Sequence, residues 1–172
     1  LLVCRDCGLA QLADSFPAEV LYGDNYGYRS GLNASMLKHL SRTARRLERR
    51  VGLVPGDTVL DIGANDGSLL RSYSTPDIVR VGIDPTIAKF REFYDDSCIP
   101  VADFFSARAF YSVSTARARI VTSIAMFYDL EDPVAFETQL GRPVLYLANH
   151  ETYLESVIFT VVMSLVGNIP VE

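Results

Sequence analysis

The sequence predicts an α/β fold built on a parallel sheet, and three observations predict it. Residues 58–70, TVLDIGANDGSLL, set the β-formers Val59, Leu60 and Ile62 ahead of a loop bracketed by Gly63 and Gly67, the outline of a strand, a tight turn and a following helix. Residues 79–84, VRVGID, form a second apolar run ending in a carboxylate. Residues 99–105 and 119–124 are further runs of this kind, separated by helical patterns. Short buried strands alternating with helices are the signature of βαβ units, and the layer they build is a parallel sheet.

With 172 residues the chain has one domain's worth of core. Its net charge of −5 argues against general affinity for nucleic acid or an anionic membrane. The longest apolar run, residues 157–166, is interrupted by Thr160 and Ser164 and is too short to span a bilayer. The opening Leu1, Leu2, Val3 and Cys4 carry no signal-peptide pattern, and three cysteines do not make a disulfide scaffold. These features point to a soluble protein of the reducing cytoplasm.

The spacing of the first loop separates the ligands such a turn can take. Dinucleotide binding needs G-x-G-x-x-G, whereas this loop reads Asp61-x-Gly63-x-x-x-Gly67 with Asn65 between. A P-loop needs Gly-Lys-Ser/Thr, and Gly67 is followed by Ser68 and Leu69. The glycines let a backbone approach a ligand, and a following helix presents unpaired N–H groups. Asp61 and Asp66, however, make the mouth acidic, which suits amines and ribose hydroxyls better than phosphates. Asp84, at the end of the second run and about twenty residues past the first glycine, stands where a ribose-binding acid sits in this class of fold. A plain βα turn and a strand-end capping Asp remain the simpler alternatives.

Taken in order, the chain opens with Cys4-x-x-Cys7-Gly8 after a short strand, half of a metal knuckle or two free thiols. Residues 14–33 form a tyrosine- and glycine-rich loop in which Tyr22, Tyr26 and Tyr28 offer ring faces and hydroxyls to a ligand, or pack as an ordinary loop. Over residues 35–50, Leu37, Leu40, Ala44 and Leu47 step by three and four, which predicts an amphipathic helix. Its other face carries Lys38, Arg42, Arg45, Arg46, Arg49 and Arg50, a solvated face or a phosphate patch, and His39 lies near the tyrosine loop. Residues 54–57 turn the chain into the central strand. Short helices are expected over residues 87–94 and 106–111.

Several segments together, CRDCGLAQL, YGYRSGLNASMLKHL, DIGANDGSLL, GIDPT, DFF, TSI and MFYDLEDP, resemble the S-adenosylmethionine-dependent sugar C-methyltransferases that act on nucleotide-linked keto-deoxysugars. The match runs from about residue 3 to residue 140. The resemblance implies a Rossmann-like class I methyltransferase sheet of strand order 3-2-1-4-5 with its last strands incomplete. Residues 1–33 would then be the remnant of a zinc-binding module and a substrate loop, and residues 34–172 the methyltransferase domain. It implies S-adenosyl-L-methionine as cofactor, held by Asp61, Gly63, Asn65, Gly67, Asp84, Asp103, Phe104 and Ser123. Tyr26, Tyr28 and Ser30 would contact the sugar, with Tyr28 or His39 acting on an enolate. Cys4 and Cys7 would match the second of two C-x-x-C pairs and bind zinc if the missing ligands were supplied.

Beyond residue 140 the resemblance fades. Residues 142–149, RPVLYLAN, can serve as a fifth strand, and His150-Glu151 only echoes the histidine-bearing stretch of that family. A five-stranded sheet exposes an edge through which the chain could form a homodimer. A methyltransferase of another small molecule, or a non-catalytic nucleoside- or partner-binding module, would carry the same glycine loop and acids.

Overall fold

A computed structural model describes residues 2–8, 10–11, 17–23 and 26–126. The expected fifth strand, the pair His150-Glu151, the apolar run at 157–166 and the part of MFYDLEDP beyond Met126 lie outside the described residues.

The centre of the fold is β3 (Thr58–Ile62), buried along its whole length. It pairs in parallel with β4 (Val79–Ile83) on one side and with β6 (Ala118–Ser123) on the other. Outside β4 lies β5 (Cys98–Val101), also parallel, giving the order β5-β4-β3-β6. This is the order 3-2-1-4 expected of the first four strands. A strand hydrogen-bonded on both edges and packed on both faces has no polar side to show, hence the near-continuous apolar run of its sequence.

The two faces of the sheet bury different partners. Val59 faces a cluster that contains Leu40, Ala44 and Leu47 of α2 (Ala34–Val51) with Leu70, Ile87 and Ile120. Leu60 and Ile62 join Val81, Ile83 and the Phe110 ring of α4 (Ala107–Tyr111) on the other. The period-two alternation of Val59 against Leu60 and Ile62 is that of a strand between two layers.

Helix α2 spans the expected segment and one residue more at each end. It starts where the Asn33 side chain accepts the Ser35 N–H, and it ends at Gly52 in left-handed geometry, φ 61°. Arg49 and Arg50 fall in its last turn, where cations oppose the dipole. Its arginines are exposed, in keeping with a solvated face.

Two elements differ from expectation. The glycine loop does not open into an α-helix; Leu70–Ser72 make a single 3₁₀ turn. The segment is short and rich in hydroxyls before Pro76, and those hydroxyls bond the backbone locally, as Ser72 Oγ does to the Ser68 carbonyl at 2.8 Å. The anticipated helix N-terminus is therefore not part of the site. A second difference is the third strand, which stops at Val101, so Asp103 and Phe104 lie in the loop beyond it. After β4, the expected short helix is α3 (Ile87–Phe90) followed by a 3₁₀ turn.

At the N-terminus, β1 (Leu2–Val3) and β2 (Ala10–Gln11) form an antiparallel hairpin with Cys4 and Cys7 in its turn. A four-residue helix, α1 (Ala18–Leu21), follows.

What holds α2 to the rest is partly one carboxylate. Glu48 Oε1 accepts from Ser74 N at 2.6 Å, Thr75 N at 2.7 Å and Thr75 Oγ1 at 2.9 Å, and Oε2 accepts from Ser74 Oγ at 2.9 Å. Burial raises the Glu48 pKa, but these four bonds outweigh it and hold the carboxyl below its ordinary value. Glu48→Ala is expected to cost about 2–3 kcal/mol at neutral pH, since it strands donors that bonded a charged acceptor. A lowered folded pKa places that stabilisation above the unfolded carboxylate pKa, with loss as pH falls through the folded value. Urea unfolding at pH 7 and pH 3 should show the gap between wild type and variant narrowing at the lower pH.

Candidate functional site

The register Ile62↔Ile83 brings β3 and β4 to a common end, and a cleft opens there. Clefts outside the carboxyl ends of parallel strands are where open α/β sheets take ligands. Its floor is the glycine loop. Gly63 sits at φ 74°, its N–H continuing the ladder to the Ile83 carbonyl at 2.9 Å. A Cβ at Gly63 would come within 3.4 Å of the Met126 side chain, so the glycine keeps the loop close to that wall.

Two buried carboxylates line the floor. Asp84 is held by three donors: Asn65 N to Oδ2 at 2.8 Å, and Thr86 N and Oγ1 to Oδ1 at 2.7 and 2.6 Å. Asp61 has one side-chain donor, Thr122 Oγ1 at 2.7 Å. Burial, with the Asp84 charge adding to it and the Thr122 bond opposing it, raises the Asp61 pKa to about 7.

The opposite wall comes from the tyrosine-rich segment. Tyr22, Tyr26, Tyr28 and Ser30 all line the cleft, and Phe104, Met36 and Met126 complete an aromatic and thioether surface. No Lys, Arg or His lines it among the described residues.

Residues 28–31 cross the glycine loop as a strap. Ser30 N donates to Asn65 Oδ1 at 3.0 Å and Asn65 Nδ2 donates to the Tyr28 carbonyl at 3.1 Å. Gly31 N donates to Asp66 Oδ2 at 2.8 Å, and Arg29 Nη1 reaches the same oxygen at 3.3 Å while its guanidinium sits 3.9 Å over the Phe93 ring. A Cβ at Gly31 would lie 2.5 Å from Asp66 Oδ2, so only glycine fits.

The structure gathers some of the residues singled out from the sequence and separates others. Asp61, Gly63, Asn65, Asp84, Phe104, Tyr26, Tyr28 and Ser30 line the cleft. Asp66, read above as part of an acidic mouth, is instead fully buried beneath the strap and does not line it. Gly67 also lies outside the lining: it is at φ 73° against the Tyr94 ring, which a Cβ would meet at 2.9 Å. Asp103 is exposed and its Oδ1 caps the Phe104 N–H at 2.8 Å, because the strand ends two residues before it. Ser123 Oγ contacts Met126 Sδ at 3.5 Å without lining the cleft.

His39 is on the outer side of α2, in a groove with Arg42, Arg45, Arg46 and Arg49, its Nε2 3.4 Å from Thr43 Oγ1. His39 is about 100° around the helix from Leu40, and it does not line the cleft that Met36 and Leu40 border. Cys4 and Cys7 are free thiols, with Cys4 held below its usual pKa chiefly by the Cys7 backbone N–H. No group of three or more candidate metal ligands occurs among the described residues.

Thr122, Thr86 and Tyr94 are site residues that sequence reasoning passed over. Thr86 had a signal, since Asp84-Pro85-Thr86 is the pattern of an Asx turn. Thr122 faces Asp61 only through the register Asp61↔Thr122, which a single sequence does not give.

No protein-family model matches the chain. Over 85 residues it is 32% identical to the C-methyltransferase NovU of Streptomyces niveus, a match covering 49% of this chain and 20% of that protein. The chain thus spans a fifth of the length of this curated relative. Among solved structures it is similar to a putative precorrin-6Y C5,15-methyltransferase domain from Corynebacterium diphtheriae, with a TM-score of 0.54 at 16% identity over 77% of this chain and 79% of that one. It is also similar to the plantazolicin methyltransferase BpumL, solved with SAH, with a TM-score of 0.53 at 16% identity over 76% and 54%. A third is the putative methyltransferase solved with the Haloferax volcanii activator Trm112, with a TM-score of 0.51 at 21% identity over 79% and 63%. At these identities the likeness is one of fold, and the fold is the α/β parallel sheet of class I Rossmann-like methyltransferases.

The buried Asp61 makes stability depend on pH. With a folded pKa of about 7 and an unfolded value of about 3.9, the folded state binds more protons between these limits. Its stabilising contribution is complete below pH 4 and is lost as pH rises through 7. Asp61→Asn, which does not titrate, is expected to flatten that part of the stability curve, measured by urea unfolding at half-unit intervals from pH 4 to 8.

Proposed function

We propose that the cleft binds S-adenosyl-L-methionine and that the chain is the cofactor-binding core of a methyltransferase acting on carbon, with a nucleotide-linked keto-deoxysugar as acceptor. The observation that carries the cofactor is the chemistry of the cleft: two buried carboxylates, a glycine floor, an aromatic wall and no basic side chain among the described lining residues. A dinucleotide or triphosphate would set its charge against Asp61 and Asp84. A nucleoside joined to an ammonium group does the opposite. Each carboxylate oxygen accepts more than one bond, so Asp84 Oδ2, which takes a single N–H from Asn65, retains capacity for a ribose hydroxyl. Asp61 offers a counter-charge to the ammonium, and the Phe104 ring a face for the base.

The acceptor is argued from the similarity to a C-methyltransferase and from the strap. Bound S-adenosyl-L-methionine supplies an electrophilic methyl group. The residues of this chain bind and orient. Tyr26, Tyr28 and Ser30 present hydroxyls to a polar acceptor, and the Tyr28 hydroxyl would donate to the ketone oxygen and hold the acceptor in place. Met36 and Leu40 close the cleft against water. His39 has no part in this scheme. Cys4 and Cys7 would supply two ligands of a structural zinc, the other two not being found among the described residues, and no step depends on that metal.

Calorimetric titration with S-adenosylhomocysteine tests the cofactor. Micromolar binding by the wild type, lost in Asp84→Ala, is the expected result; no binding by the folded chain removes the assignment. Because the ammonium needs ionised Asp61, whose pKa is about 7, the apparent affinity should be about tenfold higher at pH 8 than at pH 6. In Asp61→Asn that dependence should vanish.

A further inference from the structure

We infer that Asn65 is a positioning residue for the acceptor side of the cleft: beside the Asp66 bonds to Arg29 and Gly31, it fixes Tyr28 and Ser30 to the glycine loop, and replacing it loosens those two residues while leaving the cofactor site intact. The inference rests on the reading of the cleft as a cofactor site faced by an acceptor strap.

Asn65 is at the base of the cleft, where a direct ligand contact would be the first assumption, yet its polar atoms are engaged by protein. Its backbone N–H goes to Asp84 Oδ2 at 2.8 Å, and its carbonyl accepts from the Tyr94 hydroxyl at 3.0 Å. Its side chain is spent on the strap, Oδ1 on Ser30 N and Nδ2 on the Tyr28 carbonyl. The backbone pair therefore orients the acid of the cofactor side, and the side-chain pair orients the segment bearing Tyr28 and Ser30. Asn65 thus joins the acid of the cofactor side to Tyr28 and Ser30, next to the Asp66 bonds that hold Arg29 and Gly31.

The backbone half is secured without the side chain. Asn65 adopts φ 51°, a left-handed conformation that glycine takes without strain. Tyr94 is buried, and burial, with Asp61 and Asp84 nearby, pushes its pKa up, so its hydroxyl stays a donor. Room for that hydroxyl exists because Gly82 has no side chain; a Cβ there would lie 3.3 Å from it and 3.0 Å from Ala64 and Leu70. Asn65→Gly should thus keep φ and both backbone bonds and lose only the bonds to the strap. Asn65→Asp keeps the acceptor for Ser30 N and loses the donor to Tyr28.

Amide hydrogen exchange and calorimetry on the same variants decide the matter. In Asn65→Gly the Ser30 amide should exchange at least about tenfold faster, the consequence of one lost hydrogen bond on a locally opening segment. Asn65→Asp, which keeps the acceptor for Ser30 N but sets a carboxylate oxygen against the Tyr28 carbonyl, should restore only part of that protection, and S-adenosylhomocysteine affinity should stay within about threefold of wild type in Asn65→Gly. A large loss of affinity with the strap still protected would overturn the inference and make Asn65 a ligand contact; unchanged exchange would overturn it as well. Should Asn65→Gly fail to fold, Ser30→Pro removes the same donor from the other side, Arg29 before it being extended at φ −135°, ψ 123°, as a residue preceding proline requires. Faster exchange at Gly31 with retained affinity supports the coupling, and lost affinity refutes it. If the wild type binds no S-adenosylhomocysteine, the cofactor reading falls, while the exchange arms still decide whether Asn65 holds the strap.

Discussion

The Asp66 carboxylate has no solvent access at all, and much of the site follows from what is needed to bury it. A buried carboxylate left without a partner costs about 3–5 kcal/mol. Asp66 Oδ1 is satisfied locally by Ser68 N, but Oδ2 depends on Gly31 N and Arg29, more than thirty residues earlier in the chain. The strap is therefore a structural requirement of the glycine loop, and the loop cannot be satisfied without it. This ties the tyrosine-bearing segment to the sheet by charge and hydrogen bonding, where its glycines and the exposed Tyr28 give little apolar burial.

The parallel register does the rest of the arranging. Because Ile62 pairs with Ile83, the acid one residue before the end of β3 and the acid just after β4 both open into one cleft. Their surroundings then divide them. Asp84 collects three donors from the backbone and hydroxyl groups around it, whereas Asp61 faces Thr122 alone and carries the cost of burial in a raised pKa. Two carboxylates at adjacent strand ends need not behave alike, and the difference lies in how many N–H and O–H groups the neighbouring loop supplies.

The sheet was legible because its signals are local. A strand between two layers must be apolar along its length, a close turn needs glycine, and the pattern of residues 58–84 states both. The amphipathic period of α2 was equally open to reading. What was not legible depends on long-range register or on competition. The helix expected after Gly67 gave way to a 3₁₀ turn because serine and threonine hydroxyls there bond the backbone and Glu48. Asp66 looked like a ligand-facing acid because nothing in the sequence says that residues 29–31 come to cover it. His39 looked close to the tyrosine segment in sequence, but it lies in the arginine groove of α2 and outside the cleft lining.

The glycines around the site show how one residue type serves different ends. Gly63 keeps the floor against Met126 and borders the cleft, so a side chain there would take ligand space as well as strain φ. Gly67 and Gly82 border no ligand; they make room for Tyr94, whose ring lies over one and whose hydroxyl passes beside the other to reach the Asn65 carbonyl. Gly31 clears the approach to Asp66. Three of the four thus act through packing behind the site, and only one in it. A glycine pattern read as a ligand signature is, in this chain, chiefly the record of how tightly a strap, a loop and a tyrosine must meet for two acids to face the same cleft.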